Sequence, residues 1–159
     1  MIRVIAPQNQ SGADYLKQWA VSKLPFPIDL GLCEPLAVTD GNKLLAVAVY
    51  HNYRVKPKGA AIEVSFATDG PGWATRSVLR GLFWYPFQSL SCSLMTAVTG
   101  KKNHKARKLL KQLGFHPTEP IPLLFDGEEA GVPHYMTRDQ CKWLEGSNEQ
   151  RLDSRARAA

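Results

Sequence analysis

Apolar and polar residues alternate along the chain in two patterns, one typical of strands and the other of helices. Short β-rich runs predict strands at residues 1–6, 34–39, 44–50, 60–67 and 94–99, with further extended runs at 121–125 and near 134–137. An Asp-Gly turn at residues 40–43 separates the second and third runs, which is a strong signal for a β-hairpin.

Helical periodicity occurs in segments that alternate with these strands. Near the N-terminus, Ser11 or Asp14 can cap a helix that runs to about residue 24. A second helix is expected from about residue 73 to 85, and Pro86 is expected to end it because proline has no amide hydrogen. The order hairpin, strand, helix, strand, helix, strands predicts an α/β (α+β) fold with a sheet of mixed direction.

A third helix follows the strand at residues 94–99, and it has clear signals at both ends. Asn103 is a good N-cap, because its short side chain can accept a hydrogen bond from an unpaired amide of the first turn. Gly114 is placed to end the helix in a left-handed conformation, after which Phe115 returns to the core. One buried stripe is predicted, formed by Ala106, Leu109, Leu110 and Leu113.

The segment around this helix carries the whole excess of positive charge. The formal net charge is +6, from 20 basic and 14 acidic residues. Six basic residues occur here with no acid among them: Lys101, Lys102, Lys105, Arg107, Lys108 and Lys111. Without them, basic and acidic residues balance, so the pattern favours a local anionic partner over a generally basic protein.

Length and composition indicate an ordinary soluble globular protein. With 159 residues, 44% of them hydrophobic, the chain is large enough for one stable domain, which we expect to span residues 1–145. Residues 146–159 are polar and are expected to form a flexible tail. No apolar run has the length of a membrane span, and the N-terminus lacks the apolar stretch of a secretory signal. Three widely spaced cysteines form neither a disulfide framework nor a metal site, so a reducing, cytoplasmic setting is expected.

A glycine-containing loop joins the strand at residues 60–67 to the second helix. Its glycines let the backbone turn and leave the amides open to a ligand. The following helix presents free N–H groups and the positive end of its dipole. A pyrophosphate cradle can therefore form at Gly72, Trp73, Ala74, Thr75 and Arg76. The alternative is a turn that only starts a helix, because neither a Walker loop nor a G-x-G-x-x-G fingerprint is present.

Taken together, the loop and the basic helix resemble the GNAT superfamily of N-acetyltransferases. The cofactor loop of that family has the form Gln/Arg-x-x-Gly-x-Gly/Ala, and residues 69–74 (Asp-Gly-Pro-Gly-Trp-Ala) keep the Gly-x-Ala part. The family's Asn-x-x-Ala, followed by an apolar stripe and Leu-Gly-Phe, occurs at residues 103–115. The resemblance covers about residues 34–143. Trp73 and the Tyr-Pro-Phe at 85–87 look most similar to a divergent phage or prophage branch.

The resemblance implies a mixed, mostly antiparallel sheet with flanking helices, in which two central parallel strands, here 62–67 and 95–99, splay apart. It implies acetyl-CoA as the co-substrate, with the pantetheine arm between these strands and the pyrophosphate on the loop amides. Asn103 would touch the pantetheine, and Arg76 with the basic helix would steer the phosphates. The implied cofactor-binding residues are Ser65, Phe66, Ala67, Gly72, Trp73, Ala74, Thr75, Arg76, Asn103 and Lys105.

Two positions depart from the family pattern. Asp69 replaces the Gln or Arg, and Leu110 stands where many members carry a tyrosine that protonates the leaving thiolate. Glu63 matches the position of a general base in several relatives, and its alternative role is that of an ordinary ion-paired strand carboxylate. Further candidates for the acceptor cleft, each more commonly structural, are His51, Tyr53, His116, His134 and Tyr135.

Three functions remain open from the sequence. The first is an acetyl-CoA-dependent N-acyltransferase in which an unidentified amine, on a small molecule or a protein, attacks the thioester directly. The second is a CoA-binding or protein-interaction module with impaired catalysis, which Leu110 and Asp69 favour. The third is nucleic-acid binding, which is disfavoured because no aromatic residues occur among the helix lysines. No metal and no membrane partner are expected, and homodimer formation is left open.

Overall fold

The computed structural model describes residues 1–25 and 28–144, which contain seven strands and three α-helices. The strands are β1 (Ile2–Ile5), β2 (Cys33–Asp40), β3 (Lys43–Lys56), β4 (Gly59–Thr68), β5 (Cys92–Gly100), β6 (His116–Pro117) and β7 (Gly131–Thr137). The helices are α1 (Gln10–Lys23), α2 (Arg76–Trp84) and α3 (His104–Leu113). Short 3-10 turns occupy Arg138–Gln140 and Lys142–Leu144. The predicted tail lies outside the described residues.

All seven strands belong to one sheet, in the order β1-β2-β3-β4-β5-β7-β6. Neighbouring strands are antiparallel except β4 and β5, which are parallel. This arrangement confirms the predicted mixed, mostly antiparallel sheet with two central parallel strands and flanking helices. The predicted hairpin also forms, with Asp40 of β2 paired to Lys43 of β3.

Helices cover both faces of the sheet, so its central strands are buried on both sides. On one face, Leu16 and Ala20 of α1 pack with alternate residues of β3 and β4, such as Ala67. On the other face, α2 and α3 pack against the intervening residues, such as Val64. Side chains along a strand point alternately to the two faces, so neighbouring residues of β4 join different clusters. No helix in the described part of the chain is both long and apolar enough to cross a membrane.

The cap of α1 differs from the prediction. Asn9, rather than Ser11 or Asp14, is the N-cap, and its side chain accepts a hydrogen bond from the amide of Gly12 at 2.8 Å. The extended backbone of Asn9 places its oxygen over the first-turn amides, whereas the two predicted residues lie inside the helix.

Two further predicted elements are corrected. α2 begins at Arg76 rather than near residue 73, because Thr75 caps it through a hydrogen bond from Val78 N at 3.2 Å. Residues 121–125 form turns instead of a strand. Their one ladder contact is an isolated bridge to Gly131, so the β-rich composition there is overridden by the loop that leads into β7.

The second helix also continues past Pro86, where the prediction ends it. α2 passes into one π-helical turn, Tyr85–Ser89, that contains this proline. Because proline has no amide hydrogen, the carbonyl of Leu82, four residues earlier, lacks its helical partner. The buried hydroxyl of Tyr50 donates a hydrogen bond to that carbonyl at 2.5 Å. A strand side chain thus supplies the bond that the proline removes.

We expect Tyr50→Phe to lower the free energy of unfolding by about 1–3 kcal/mol, because it leaves the buried Leu82 carbonyl unsatisfied while keeping the aromatic ring. Urea unfolding at pH 7 measures the change. Tyr53→Phe is the matched control, since Tyr53 is 48% exposed, and it should stay within about 0.5 kcal/mol of the wild type. Equal effects of the two substitutions would contradict this role of Tyr50.

Candidate functional site

The two parallel strands part midway along their length. β4 and β5 are paired from Ala60 to Glu63 and from Cys92 to Thr96, where the ladder ends. Past this point each strand keeps only its outer partner, β3 for β4 and β7 for β5. The backbone groups on the facing edges are therefore left without a strand partner, and they can pair with another extended molecule.

A groove of about 750 Å³ opens between the parted strands. Residues 64–68 of β4 and 97–99 of β5 form two of its walls. α3 contributes Ala106, Leu109 and Leu110 to a further wall. Because the strands are parallel, their carboxyl ends meet at the wide end of the groove, so α2 and α3 both begin there.

The groove collects six of the ten predicted cofactor-binding residues: Ser65, Phe66, Ala67, Trp73, Asn103 and Lys105. Gly72, Ala74, Thr75 and Arg76 follow at the start of α2 and are not part of the lining. Trp73 is 4% exposed and stacks on Phe66 with ring centroids 6.2 Å apart, so it is both a core residue and a groove wall. Cofactor binding by these ten residues stays a prediction.

The loop before α2 has the backbone that its sequence predicts. Gly70 and Gly72 have φ angles of 89° and 91°, a region that glycine adopts readily and other residues do not. No acidic side chain occurs in the first turn of α2, and the Thr75 cap uses the amide of Val78. The earlier first-turn amides and the positive end of the helix dipole thus remain available to an anion.

α3 also begins at the wide end of the groove. Asn103 caps it as predicted, with Oδ1 accepting a hydrogen bond from Ala106 N at 3.1 Å. The cap uses only the side-chain oxygen of Asn103, so the side-chain nitrogen, Nδ2, remains available as a hydrogen-bond donor. Lys105 and Lys108 line the groove from α3, and Lys23 lines it from the end of α1. The two lysines of α3 and the two helix dipoles favour a polyanion at this end, whereas the charge of Lys23 is offset by Asp69, whose carboxylate lies 3.7 Å from its ammonium.

A polar row crosses the sheet at the point where the strands part. Its members are direct register partners on β3, β4, β5, β7 and β6: His51, Glu63, Thr96, Tyr135 and His116. Paired residues on neighbouring strands point to the same face and lie about 4.8 Å apart in the direction across the strands. At the outer end, the rings of Tyr135 and His116 are 5.5 Å apart. The structure therefore brings Glu63 together with three of the candidates for the acceptor cleft.

His51 and Glu63 form the buried end of the polar row. The Nε2 atom of His51 lies 3.0 Å from Ser65 Oγ and 3.8 Å from Glu63 Oε2. Burial lowers the pKa of His51 below its ordinary value of 6.5, and the Glu63 carboxylate opposes this only in part. His51 is therefore neutral at pH 7 and able to accept a proton, and Glu63 can stabilise the cation that results.

The two remaining candidates lie away from the polar row. His134 is 2% exposed on the opposite face of the sheet, and its Nδ1 donates a hydrogen bond to the Val132 carbonyl at 2.9 Å. Burial lowers the pKa of His134, as expected for a neutral core histidine. Tyr53 lies within the irregularity in β3, between His51 and Arg54, and is exposed. Within residues 1–25 and 28–144, no His, Cys, Asp and Glu side chains are grouped as a metal ion requires.

Thr99 is a groove residue that the sequence analysis missed. It lies on the unpaired part of β5, is 7% exposed, and its hydroxyl has no hydrogen-bond partner among the described residues. A threonine in a β-rich run is ordinary strand composition. Only the parting of the strands distinguishes Thr99 from other threonines, and no signal in a single sequence shows where the ladder between two strands will end.

We expect an NMR titration to give a pKa for His51 below 6.5, and Glu63→Gln to lower it further because the carboxylate favours the cation. Folding favours the neutral imidazole of His51. The contribution of this residue to the free energy of unfolding is therefore complete above pH 6.5, and it is lost as the pH falls through the pKa of the folded state. Glu128→Gln, in an exposed turn, is the control and should leave the His51 titration unchanged. A higher pKa of His51 in the Glu63→Gln variant would contradict the assigned contact.

Comparisons with known proteins identify the fold. The sequence matches no protein-family model and no curated protein. Among solved structures, a chimera of Vibrio cholerae spermidine N-acetyltransferase and hSSAT is 16% identical, with a TM-score of 0.65 over 90% of this chain and 98% of that chain. Arabidopsis thaliana NAA60 in complex with acetyl-CoA is 12% identical, with a TM-score of 0.69 over 87% and 99%.

This chain covers a smaller part of a third similar structure. The ribosomal-protein-S5-alanine acetyltransferase from Vibrio fischeri is 21% identical, with a TM-score of 0.57 over 70% of this chain and 64%, just under two thirds, of that chain. Identities this low show a common fold. The chain therefore has the acetyltransferase fold that its resemblance to the GNAT superfamily predicts.

Proposed function

We propose that this chain is an N-acetyltransferase that uses acetyl-CoA to acetylate an amine. The observation that carries the proposal is the groove between β4 and β5, which joins an end suited to a polyanion to the polar row where the strands part. NAA60, which has the same fold, is solved with acetyl-CoA. The other similar structures are a spermidine N-acetyltransferase and a ribosomal-protein-alanine acetyltransferase, so amines are the acceptors that the fold suggests.

The groove fits an acyl-pantetheine chain. The unpaired edges at residues 64–68 and 97–100 offer amide and carbonyl groups, and the amides of a pantetheine arm can pair with them as an added strand does. When bound, acetyl-CoA supplies the acetyl group as an activated thioester.

The wide end of the groove supplies the phosphate-binding groups. Backbone amides between Gly72 and Arg76 and the side chain of Lys105 would hold the pyrophosphate, and the adjacent lysines would attract it. The amide of Thr75 is the exception in this range, because it donates to the Trp73 carbonyl at 3.0 Å. Asp69, which replaces the family's Gln or Arg, lies 3.7 Å from the ammonium of Lys23. That cation offsets the negative charge of Asp69, so the replacement does not make this end repel an anion.

Glu63 and His51 are the groups that would take the proton of the amine. An amine acceptor is a cation at neutral pH and must lose one proton before its nitrogen can attack a carbonyl carbon. Glu63 is the last paired residue of β4 and so lies where the strands part, and the neutral His51 beside it is free to hold the proton. Amides on the open edge of β4 can stabilise the charge that develops on the carbonyl oxygen.

A second candidate function is a CoA-binding module with impaired catalysis. Leu110 is 4% exposed in the groove wall and offers no proton where many family members carry tyrosine. A thiolate leaves readily because a thiol has a pKa of roughly 8.5, and the positioning of two reactants alone supplies a large part of the rate. We therefore favour an active enzyme over this second function. The phage-like branch, the cytoplasmic setting and homodimer formation stay predictions.

We expect acetyl-CoA to raise the melting temperature of the protein, because a ligand that binds only the folded state stabilises it by about 2.7 kcal/mol at a hundredfold excess over Kd. Glu63→Gln should keep this shift while acetyl transfer to spermidine or to an N-terminal peptide amine falls at least about 100-fold. Thermal denaturation and a free-thiol assay measure the two effects.

Glu128→Gln serves as the control for the Glu63 substitution and should keep both binding and transfer. No thermal shift in the wild-type protein would refute the proposed cofactor. A shift without transfer to any amine tested would favour the impaired module instead.

We expect the double substitution Lys105→Gln with Lys108→Gln to weaken acetyl-CoA binding about 5- to 20-fold at low salt, because both side chains line the groove. The matched pair Lys102→Gln with Lys111→Gln removes the same charge outside the groove lining and should weaken binding less than about 3-fold. Calorimetry at two salt concentrations tests this. Equal losses in the two pairs would indicate general attraction by the helix rather than contact in the groove.

A further inference from the structure

Ser65 connects the groove with the buried imidazole of His51. Among the described residues, the groove lining includes Ser65 but neither His51 nor Glu63. His51 is 8% exposed, whereas Ser65 is only partly buried. The Oγ atom of Ser65 lies 3.0 Å from the Nε2 atom of His51, which is hydrogen-bond distance. A proton that leaves a ligand in the groove can therefore reach His51 through the hydroxyl of Ser65.

The position of Ser65 along β4 is where the two reactants of the proposed function meet. Glu63 is the last residue of β4 that is paired with β5. Ser65 is the next residue of β4 on the same face, because side chains alternate along a strand. An amine that approaches along the polar row thus reaches Ser65 directly beyond the point where the strands part. The thioester of a cofactor arm between the strands lies within the same gap.

A hydroxyl can pass on a proton without changing its own charge, because it donates one proton while a lone pair accepts another. The relay uses the His51 tautomer that is protonated on Nδ1, in which Oγ of Ser65 donates to Nε2. The lone pairs of Oγ then remain available to an N–H group of the amine. Glu63 Oε2 lies 3.8 Å from the same Nε2 atom, so its carboxylate stabilises the imidazolium that forms.

We infer that the hydroxyl of Ser65 relays the proton of the acceptor amine to His51. This inference rests on the proposed function. An N–H bond of the ammonium group breaks and a new O–H bond forms on Oγ, while the former O–H bond breaks and an N–H bond forms on Nε2. The electron pair left on the amine nitrogen forms the bond to the carbonyl carbon, and CoA leaves with the pair of the C–S bond. The second surplus proton of the nitrogen neutralises the CoA thiolate, and His51 later releases its proton to water.

The charge of His51 stays constant between pH 7 and pH 9. The titratable groups beside it are Glu63 on β4 and Cys33, its register partner on β2. Burial lowers the pKa of His51, so the imidazole is neutral at both pH values. Burial raises the pKa of the Cys33 thiol, which Asp14 and Lys17 of α1 also influence, so this thiol stays largely protonated. A change of rate over this range therefore reports on the acceptor amine.

The test substitutes Ser65→Ala, which removes the relay and keeps His51 and Glu63. An α-amino group has a pKa of roughly 8, so about a tenth of an N-terminal peptide amine is neutral at pH 7 and about nine tenths at pH 9. Without the relay only the neutral amine reacts. We expect kcat/KM for the peptide to fall about tenfold at pH 7 and less than about twofold at pH 9, with KM for acetyl-CoA unchanged. Ser65→Thr, which keeps the hydroxyl, should stay within about threefold of the wild type at both pH values.

Ser93→Ala is the matched control. Its hydroxyl donates to the Ala60 carbonyl at 3.3 Å, outside the groove lining, and its loss should leave both rates unchanged. A full rate in the Ser65→Ala variant at pH 7 would overturn the inference. An equal loss at both pH values would overturn it too, because the hydroxyl would then only hold the geometry. If Ser65→Ala fails to fold, Ser65→Val replaces it and is compared with the isosteric Ser65→Thr.

Nitrogen NMR of the wild-type protein tests the relay without any reaction. We expect Nε2 of His51 to be unprotonated at pH 7 and Nδ1 to carry the proton, because the relay requires an accepting Nε2. A proton on Nε2 would contradict the inference. A wild-type protein that acetylates no amine would refute the proposed function itself, whereas an active wild type with an equally active Ser65→Ala variant would refute only the relay.

Discussion

The parting of β4 and β5 after Glu63 and Thr96 is the constraint on which the rest of the structure depends. Two strands in the middle of a sheet normally stay paired, because unpaired buried backbone groups are costly. Here each strand is held on its outer side, β4 by a long ladder to β3 and β5 by continuous pairing with β7. The gap therefore leaves only the facing edges unsatisfied, and a bound chain can satisfy them.

α3, which lines the groove between β4 and β5, is held in place at its C-terminal end. Gly114 ends α3 with a φ of 103°, and Phe115 N returns a hydrogen bond to the Leu110 carbonyl at 3.0 Å. Near the end of the described chain, Trp143 Nε1 donates to the Leu113 carbonyl at 2.8 Å. These bonds satisfy carbonyls of the last turn. The C-terminal end of the basic helix is thereby anchored to the core, while its N-terminal turn is left open to the groove.

Local signals in the sequence are enough to predict the caps of α3 and a hairpin. Features that depend on contacts between distant elements are not visible in the sequence. The caps of α3 and the β2–β3 hairpin depend on neighbouring residues, so a single sequence specifies them. The continuation of α2 through Pro86 depends on Tyr50, a side chain from another element, so no pattern near the proline reveals it. The alignment of Glu63 with Tyr135 depends in the same way on the register of three strands.

The polar row lies on the α1 face of the sheet, and the groove, which is lined from both faces, reaches that face at Ser65 of β4. Val64 and Phe66 join the cluster under α2 and α3, whereas Glu63 and Ser65 alternate with them toward the α1 side. In the proposed reaction, the acceptor can therefore approach along the polar row while the cofactor arm lies between the strands. The two meet where the strands part, so no side chain needs to carry the acetyl group. The protein then has to remove one proton, for which His51 and Glu63 suffice, and to hold the geometry, which the parted strands provide. Leu110 in place of the family's tyrosine is compatible with this reaction. The tyrosine would protonate the departing thiolate, and a thiolate leaves readily without a proton.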